Sequence, residues 1–244
     1  MTANGGSDLA LGERAYQDLL RRLITLEIRP GEPLSEDALA SDLGLGVTPV
    51  RRAIQRLAQE GLVRIYPRRV TIAEQVRHSD IQHLWEIRTP LEETAAFYAA
   101  TRASDAHRRE LEALLDRLEA PPHDATAVLD LHRRVHEAVG EASMNPFIAD
   151  GTTKLLNLTL RCWHVLHESG SLQDHDLRPH HVPLLRAILD RDPGAAVAAS
   201  RLHVKHSTSP EHASGPRSAR TGARQDRQRR SGERARNVSR TGSR

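Results

Sequence analysis

Apolar residues follow a helical rhythm through the first part of the chain. They recur every three or four positions over residues 11–28, 36–42 and 48–60, which predicts three helices, each with one buried face. The first of these faces contains Leu19, Leu20, Leu23, Ile24 and Ile28. Residues 62–72 alternate between apolar and polar side chains and contain a proline, a pattern typical of a short two-stranded hairpin. Three helices followed by a hairpin predict a winged helix-turn-helix.

Turn and capping residues mark the ends of these helices. Arg29-Pro30-Gly31 is expected to end the first helix, and Ser35 is a suitable N-cap for the second. Leu43-Gly44-Leu45-Gly46 is expected to form the turn before the third helix, which Gly61 then stops. The turn and capping residues therefore mark helix ends at the same places as the hydrophobic pattern does.

The pattern changes after about residue 78, beyond which no strand is predicted. A helix opens at Ser79 or Asp80, and the apolar face predicted for it contains Ile81, Leu84, Trp85, Ile87, Leu91 and Ala95. Further helices are predicted over about residues 105–119, 125–142, 146–169, 178–191 and 194–206. The expected fold class is therefore mainly α: an N-terminal winged helix-turn-helix followed by an all-α bundle of six to seven helices.

These signals divide the chain into five segments. We expect a flexible N-terminus over residues 1–10, the winged helix-turn-helix over 11–73, a linker over 74–78 and the all-α domain over 79–206. Residues 207–244 have almost no large apolar side chain, which predicts a disordered tail. The tail contains ten arginines and three acidic residues. Because the formal net charge of the whole chain is only +3, the rest of the chain, residues 1–206, has a negative net charge. The tail either adds non-specific affinity for phosphates or is a dispensable extension.

Composition narrows the class of protein further. No apolar run approaches the roughly 20 residues that a membrane-spanning helix needs. The N-terminus lacks the basic start and apolar stretch of a secretory signal. The single cysteine, Cys162, excludes an internal disulfide and fits a reducing compartment. We therefore expect a cytoplasmic protein with no membrane partner.

The third helix begins with side chains that suit contact with DNA. Thr48 can hydrogen-bond a phosphate, and an arginine at a helix start can pair with guanine O6 and N7, worth roughly 1–3 kcal/mol of discrimination. Arginines at the hairpin tip can reach phosphates or the minor groove. Taken singly, each arginine is more simply explained as part of a solvated face, but their position within the complete helix-turn-helix and wing favours contact with DNA. The candidate DNA-binding residues are Thr48, Pro49, Arg51, Arg52, Arg68 and Arg69.

Residues 12–73 resemble the winged helix-turn-helix of the GntR family of bacterial transcription regulators. This resemblance implies that the chain binds double-stranded operator DNA. The recognition helix of the family usually begins Ser-Arg-Thr-Pro-Val-Arg, but here Gly46 and Val47 occupy the first two positions, and Arg52 replaces the usual glutamate. The matching positions are Gly31 to Glu36, Leu39-Ala40, Leu43-Gly44, Thr48-Pro49-Val50-Arg51, Ala53-Ile54, Leu57 and Glu60-Gly61-Leu62-Val63.

The all-α domain contains most of the 14 histidines, and four of them have metal-ligand spacing. His132 and His136 share one helix face, where two imidazoles can bind one divalent ion. His181 and His203 lie on two later helices that have apolar faces to turn inward. These four residues predict a metal site in the bundle core. Two alternatives are histidines scattered over helix surfaces, and His180 in place of His181 if the helix register slips.

Two segments of this domain resemble the FCD ligand-binding domain of the FadR-type branch of the GntR family. The matches are His136, Ala142 and Asn145-Pro146, then His181, Ala187-Ile188, Asp192 and His203. The resemblance implies a divalent metal, although His132 stands where the family usually has a metal-binding aspartate. A site made of four imidazoles should favour zinc or nickel over magnesium.

Arg88 and Glu92 match the Arg-x-x-x-Glu pattern of the first FCD helix. In the family, an arginine here lies near the ligand cavity, and a guanidinium pairs with a carboxylate through two parallel hydrogen bonds. The sequence therefore predicts a small carboxylate effector that contacts Arg88. The alternative is an ordinary ion pair between Arg88 and Glu92 on the helix surface.

Together these features predict a ligand-responsive transcriptional regulator, a repressor of a metabolic or catabolic operon. We expect a homodimer, because palindromic half-sites need two DNA-reading heads. The competing class is a metal-dependent hydrolase or lyase that uses the histidine cluster. His136-Glu137 would then need a histidine at position 140, where Gly140 stands. A third possibility is a regulator that binds DNA without an effector.

Overall fold

The computed structural model describes residues 4–120, 125–168 and 178–208, and it has the expected mainly α fold. Its N-terminal part contains α1 (Asn4–Ile24), β1 (Pro33–Leu34), α2 (Glu36–Leu43), α3 (Val47–Gln59), β2 (Val63–Tyr66) and β3 (Val70–Ala73). The bundle that follows contains α4 (His78–Arg102), α5 (Asp105–Glu119), α6 (Ala125–Ala142), α7 (Pro146–Glu168), α8 (Arg178–Leu189) and α9 (Pro193–Thr208). The proposed tail lies almost entirely outside the described residues.

Helix α1 differs from its prediction at both ends. It begins at Asn4, within the segment 1–10 that we expected to be flexible, and it ends at Ile24 rather than near residue 28. Leu26 adopts φ +61°, a left-handed conformation that cannot continue a helix. The chain therefore turns before Arg29-Pro30-Gly31, while Ile28 still reaches the core.

The helix-turn-helix is built by local capping. Ser35 accepts a hydrogen bond from the Ala38 amide at 3.3 Å and so caps α2. Gly44 ends α2 at φ +63°, where a residue without a Cβ is favoured. The recognition helix α3 then turns its inner face, with Val50, Ile54 and Leu57, into the core.

Helix α1 holds α3 in place through a polar contact as well as through apolar packing. The Tyr16 hydroxyl donates to Glu60 at 2.9 Å, and the Arg56 guanidinium lies 3.5 Å from the centre of the Tyr16 ring. Burial raises the pKa of Tyr16, and the Glu60 carboxylate adds to this effect. The tyrosine therefore stays protonated and can keep donating to Glu60.

The wing is a three-stranded antiparallel sheet in the order β1-β3-β2. Val63 pairs with Ala73 and Tyr66 with Val70, which confirms the predicted hairpin. The additional strand, β1, places Pro33 opposite Ile72. Two residues are too few to leave a periodic signal in the sequence, so β1 was not predicted.

The apolar face predicted for α4 is wrong at two positions. Trp85 is 41% exposed and Ile87 is 51% exposed. The helix instead buries Arg88 and Glu92, followed by a stripe of small residues at Ala95, Ala96, Ala99 and Ala100. The small side chains allow α9 and α8 to approach α4 closely, and two charged residues occupy positions that a hydrophobic pattern would assign to solvent.

Helix α7 belongs to two cores. Leu156, Leu160 and Trp163 are buried in the same cluster as Leu19, Val50, Leu62 and the other core residues of the winged domain. Near the start of α7, Ile148 is buried in the core of the bundle. The two halves of the protein are therefore packed together through one helix. None of the helices that the structure describes has the length and apolar character required to cross a membrane.

Candidate functional site

The exposed front of α3 presents three of the four DNA-binding residues predicted on this helix. Thr48, Arg51 and Arg52 are exposed in the first two turns of the helix. Pro49 is the exception, because it is buried. Its missing amide hydrogen and restricted φ suit the first turn of a helix, so its role is to shape the start of α3 rather than to contact DNA.

Arg51 is oriented by a residue of the preceding helix. Its Nε lies 2.8 Å and its Nη2 lies 2.7 Å from Oε2 of Glu36. Both side chains are at least partly exposed, so solvent screens this ion pair and it contributes little to stability. Its effect is positional, since Glu36 limits the directions in which the guanidinium can point.

The wing tip is a tight turn with arginine in a strained position. The Arg69 amide donates to the Tyr66 carbonyl at 3.1 Å, and Arg68 adopts φ +59°. Glycine is the usual residue at this conformation, because a Cβ costs about 1–2 kcal/mol there. Arg68 and Arg69 are both exposed, so this turn holds two guanidinium groups outward from the sheet.

The four predicted histidines converge in the bundle core. His132 and His136 of α6 meet His181 of α8 and His203 of α9, and every pair of rings has centroids within 5.9 Å. The shortest centroid separation, 4.3 Å, joins His181 and His203. His136 Nε2 and His181 Nε2 are 3.5 Å apart. His181 rather than the partly exposed His180 turns inward, so the predicted helix register is correct.

All four imidazoles are buried, so these residues are not histidines scattered over helix surfaces. Burial lowers the pKa of His136 and His203 well below the usual range, and the neighbouring His181 and Arg88 act in the same direction. Neutral imidazole is the form that binds a metal ion. Neither ring nitrogen of His203 has a hydrogen-bond partner among the described residues.

Arg88 and Glu92 form an ion pair, but it is buried rather than superficial. Arg88 is fully buried, and its Nε donates to Glu92 Oε1 at 2.7 Å. Its Nη2 also lies 2.6 Å from Oε1, whereas Nη1 has no hydrogen-bond partner among the described residues. Burial raises the pKa of Glu92, and Arg88 partly offsets that rise. A buried guanidinium edge without a partner is costly, and a ligand carboxylate would satisfy it.

These residues fit a divalent metal ion. The donor atoms of His132, His136 and His181 lie within 4.8 Å of one another, and so do those of Glu92, His136 and His203. Buried imidazoles and a carboxylate oxygen are ligands that suit a borderline ion such as zinc. Glu92 was not expected among the metal ligands, because the sequence marked it only as the partner of Arg88, the predicted effector-binding residue one helical turn earlier.

Helix α7 connects this cluster to the DNA-binding half. The Trp163 ring packs against the His132 ring with a centroid distance of 5.1 Å. Two residues earlier, Arg161 donates from Nη1 to the Leu62 carbonyl and from Nη2 to the Glu74 carbonyl, both at 2.8 Å. These two carbonyls flank strands β2 and β3. The histidine cluster and the base of the wing therefore contact the same two turns of α7.

Gly140 has a packing role in this arrangement. A Cβ at this position would lie 2.8 Å from Thr152 Oγ1 and 3.2 Å from Ala149 Cα, because α6 and α7 touch there. A histidine at position 140 would not fit. The zinc-protease pattern that an enzyme would need after His136-Glu137 is therefore excluded by packing as well as by sequence.

Comparison with known proteins assigns both halves of the chain. Residues 11–72 match the model of bacterial regulatory proteins of the gntR family, and residues 83–206, more than half of the chain, match the FCD domain model. The chain therefore belongs to the GntR family of bacterial regulatory proteins, in the branch with a C-terminal FCD domain. It is a DNA-binding transcriptional regulator of the GntR/FCD type.

Individual relatives have the same organisation. The HTH-type transcriptional regulator YdhC of Bacillus subtilis is 23% identical over 78% of this chain and 86% of its own length. The HTH-type transcriptional repressor RspR of Escherichia coli is 23% identical over 80% of this chain and 86% of its own. The solved structure of E. coli McbR/YncC covers 80% of this chain and 94% of its own, with 24% identity and a TM-score of 0.67. That structural likeness supports the fold.

Proposed function

We propose that this regulator is a ligand-responsive repressor whose effector is a small carboxylate bound beside a divalent metal in the FCD domain. The buried cluster of four imidazoles carries this proposal. Burying so many polar rings beside an ion pair is unfavourable unless they bind something. Regulation of a metabolic or catabolic operon follows from such an effector, because small organic acids are metabolites.

His132, His136, His181 and His203 would hold the metal, and zinc or nickel suits these donors best. When bound, the ion would supply a Lewis acid for one carboxylate oxygen of the effector. Arg88 would bind the effector through Nη1, the part of its guanidinium that Glu92 does not contact. The effector would thus be recognised by charge and by the planar geometry of its carboxylate.

Helix α7 would transmit binding to the DNA-reading half. A shift of His132 on binding changes its contact with Trp163, and Trp163 and Arg161 are fixed on the same helix. Arg161 holds the base of the wing, and Lys154 donates to the Gln59 carbonyl at the end of α3 at 2.9 Å. Movement of α7 would therefore change the position of both DNA-contacting elements.

The proposed active form is a cytoplasmic homodimer. Two heads are needed to occupy two half-sites of an operator. Phe97 and Leu202, on adjacent helices α4 and α9, are 44% and 55% exposed and offer apolar surface for a second copy. The Arg201–Glu93 ion pair joins the two helices one turn before Phe97 and would hold that surface together. Repression accords with the similarity to RspR, an HTH-type transcriptional repressor.

The DNA-reading function is tested by gel shift with the protein's own promoter region. Arg51→Ala should weaken binding about tenfold or more, because it removes a contact worth roughly 1–3 kcal/mol. Arg109→Ala is the matched control, since it removes an exposed arginine of the bundle and should leave affinity unchanged. Equal affinity of Arg51→Ala and wild type would overturn the assignment of α3 as the reading helix.

The effector function is tested by a thermal-shift screen of small carboxylic acids with and without zinc or nickel. A true effector should raise the melting temperature only with metal and should change operator affinity by about 5- to 150-fold. Arg88→Met should abolish the response to the acid while keeping the response to the metal. A protein that binds neither metal nor acid would be a regulator without an effector.

A further inference from the structure

Glu92 divides its two carboxylate oxygens between different partners. Oε1 is held by Arg88, whose Nε and Nη2 lie at 2.7 and 2.6 Å. Oε2 faces the histidines, 3.5 Å from His136 Nδ1 and 4.0 Å from His203 Nε2. Neither of the latter distances is that of a strong hydrogen bond. One oxygen is therefore anchored, and the other is directed at the cluster without a close contact to it.

The position of Oε2 relative to the imidazoles suits a common ion. The possible ligands form two sets of three residues that have His136 in common. Within each set, the donor atoms lie within 4.8 Å of one another; the sets are His132, His136 and His181, and Glu92, His136 and His203. Ligand atoms at about 2.0–2.2 Å from one zinc ion are at most about 4.4 Å apart. Because His136 belongs to both sets, an ion bound at His136 would border the donor atoms of each set, and rotation of the side chains would be needed for one ion to bind them all.

We infer that Glu92 is itself a metal ligand, so that the centre takes four imidazoles and one carboxylate oxygen. This inference rests on the proposed metal function and adds to it a ligand from a fourth helix, α4. Because Arg88 retains Oε1, Glu92 binds through Oε2 alone.

Charge explains why this chain needs such a ligand. The FCD pattern usually has an aspartate where this chain has His132, so the substitution removes a negative charge from the first set of ligands. A buried dication surrounded only by neutral rings would be poorly compensated. Glu92 supplies a negative charge from α4, and Arg88 keeps that carboxylate in place.

X-ray absorption spectroscopy of the zinc-loaded wild-type protein tests the inference without any substitution. Four imidazoles should be visible through their outer-ring scattering, together with one additional oxygen ligand. The same spectrum recorded on Glu92→Gln should lose the oxygen ligand and keep the four imidazoles. Unchanged spectra for wild type and Glu92→Gln would overturn the inference and leave the four-histidine site standing.

Cobalt substitution and chelator competition provide a second readout. Cobalt in wild type should give the weaker visible bands of five-coordinate ions, and Glu92→Gln should give the stronger bands of a four-coordinate ion. Zinc affinity should fall at least about tenfold in Glu92→Gln. Glu93→Gln, one residue away and paired with Arg201 at the surface, is the matched control and should bind zinc as wild type does.

The outcomes separate the two proposals. If wild type binds no transition metal tightly, the four-histidine site is wrong and the role of Glu92 fails with it. If wild type and Glu92→Gln bind zinc with the same affinity and the same ligand number, only the role of Glu92 is wrong. If Glu92→Gln does not fold, as circular dichroism would show, Glu92→Asp takes its place: the shorter carboxylate should lose the oxygen contact and weaken zinc binding, and an unchanged affinity and ligand number would overturn the role of Glu92.

Discussion

The Trp163 ring lies against the His132 ring, with 5.1 Å between their centroids. This contact joins a residue of the winged-domain core to a residue of the histidine cluster. A change at the cluster therefore has a direct physical contact through which it can reach the DNA-binding half. Packed side chains of this kind can carry energetic coupling between two sites.

The fluorescence of Trp163 should report metal binding. Trp85 and Trp163 are the two tryptophans of the chain, and Trp85 is exposed on α4. In Trp85→Phe, addition of zinc should change the emission because the remaining indole touches His132. In the converse variant, Trp163→Phe, zinc should leave the emission nearly unchanged. Equal responses of the two variants would contradict a local effect at Trp163.

Arg161 should contribute more to stability than an ordinary arginine. It is 2% exposed and donates to the carbonyls of Leu62 and Glu74. Arg161→Lys cannot supply both hydrogen bonds with the same geometry, so the free energy of unfolding should fall by about 1–3 kcal/mol in a urea titration. Arg186→Lys, in an exposed pair with Glu119, should cost less than about 1 kcal/mol. Equal losses would show that Arg161 does not join the two halves.

Substitution of Arg68 should separate stability from DNA affinity. Arg68→Gly relieves the left-handed backbone at φ +59°, so the free energy of unfolding should rise by up to about 1 kcal/mol. Operator affinity should fall, and the dependence of log affinity on log salt should weaken by about one unit. Arg68→Ala removes the same charge but keeps the strain, so it should lose affinity without gaining stability. An undiminished affinity in both variants would exclude a phosphate contact by Arg68.

Cys162 should react slowly in the folded protein. Burial raises the pKa of its thiol to about 12, and the side chain lines a cavity of about 430 Å³ between the wing, the linker, α4 and α7. Because the thiolate is the reactive form, alkylation at pH 8 should be about a thousandfold slower than for a free thiol. The rate should rise about tenfold per pH unit between pH 7 and 10, as the thiolate fraction does.

Unfolding provides the control for this measurement. In concentrated guanidinium chloride, Cys162 should react at the rate of a free thiol. Operator DNA or metal that tightens the contact between the two halves should slow the native reaction further. Fast alkylation of the native protein would show that this junction opens readily, and it would weaken the case for α7 as a rigid connection.

The secondary structure was largely predictable because its signals are local. The apolar positions of α3, the Ser35 cap and the Gly44 turn each act within a few residues, so the pattern along the chain contains them. The prediction failed on the face of α4, where Arg88 and Glu92 point inward. A pattern based on hydrophobicity assigns charged residues to solvent, and only the packing of the surrounding helices reveals that these two are buried as an ion pair.

The candidate sites were also predictable only in part. The spacing of His132 and His136 on one helix follows from sequence, and the family resemblance points to His181 and His203. The convergence of Glu92 with them depends on how α4 packs against α6 and α9, which no local pattern encodes. The same is true of Arg161, whose partners lie 99 and 87 residues away along the chain.

The sequence by itself determined the class of this protein, a winged helix-turn-helix regulator with an all-α domain, because periodicity and motif spacing are properties of short segments. The tertiary structure decided which residues lie together: that four buried imidazoles meet beside the Glu92 carboxylate, that Pro49 is buried, and that α7 contributes to both cores. Those facts depend on the packing of helices distant in sequence, where close contact and exclusion of water decide which polar groups must find partners.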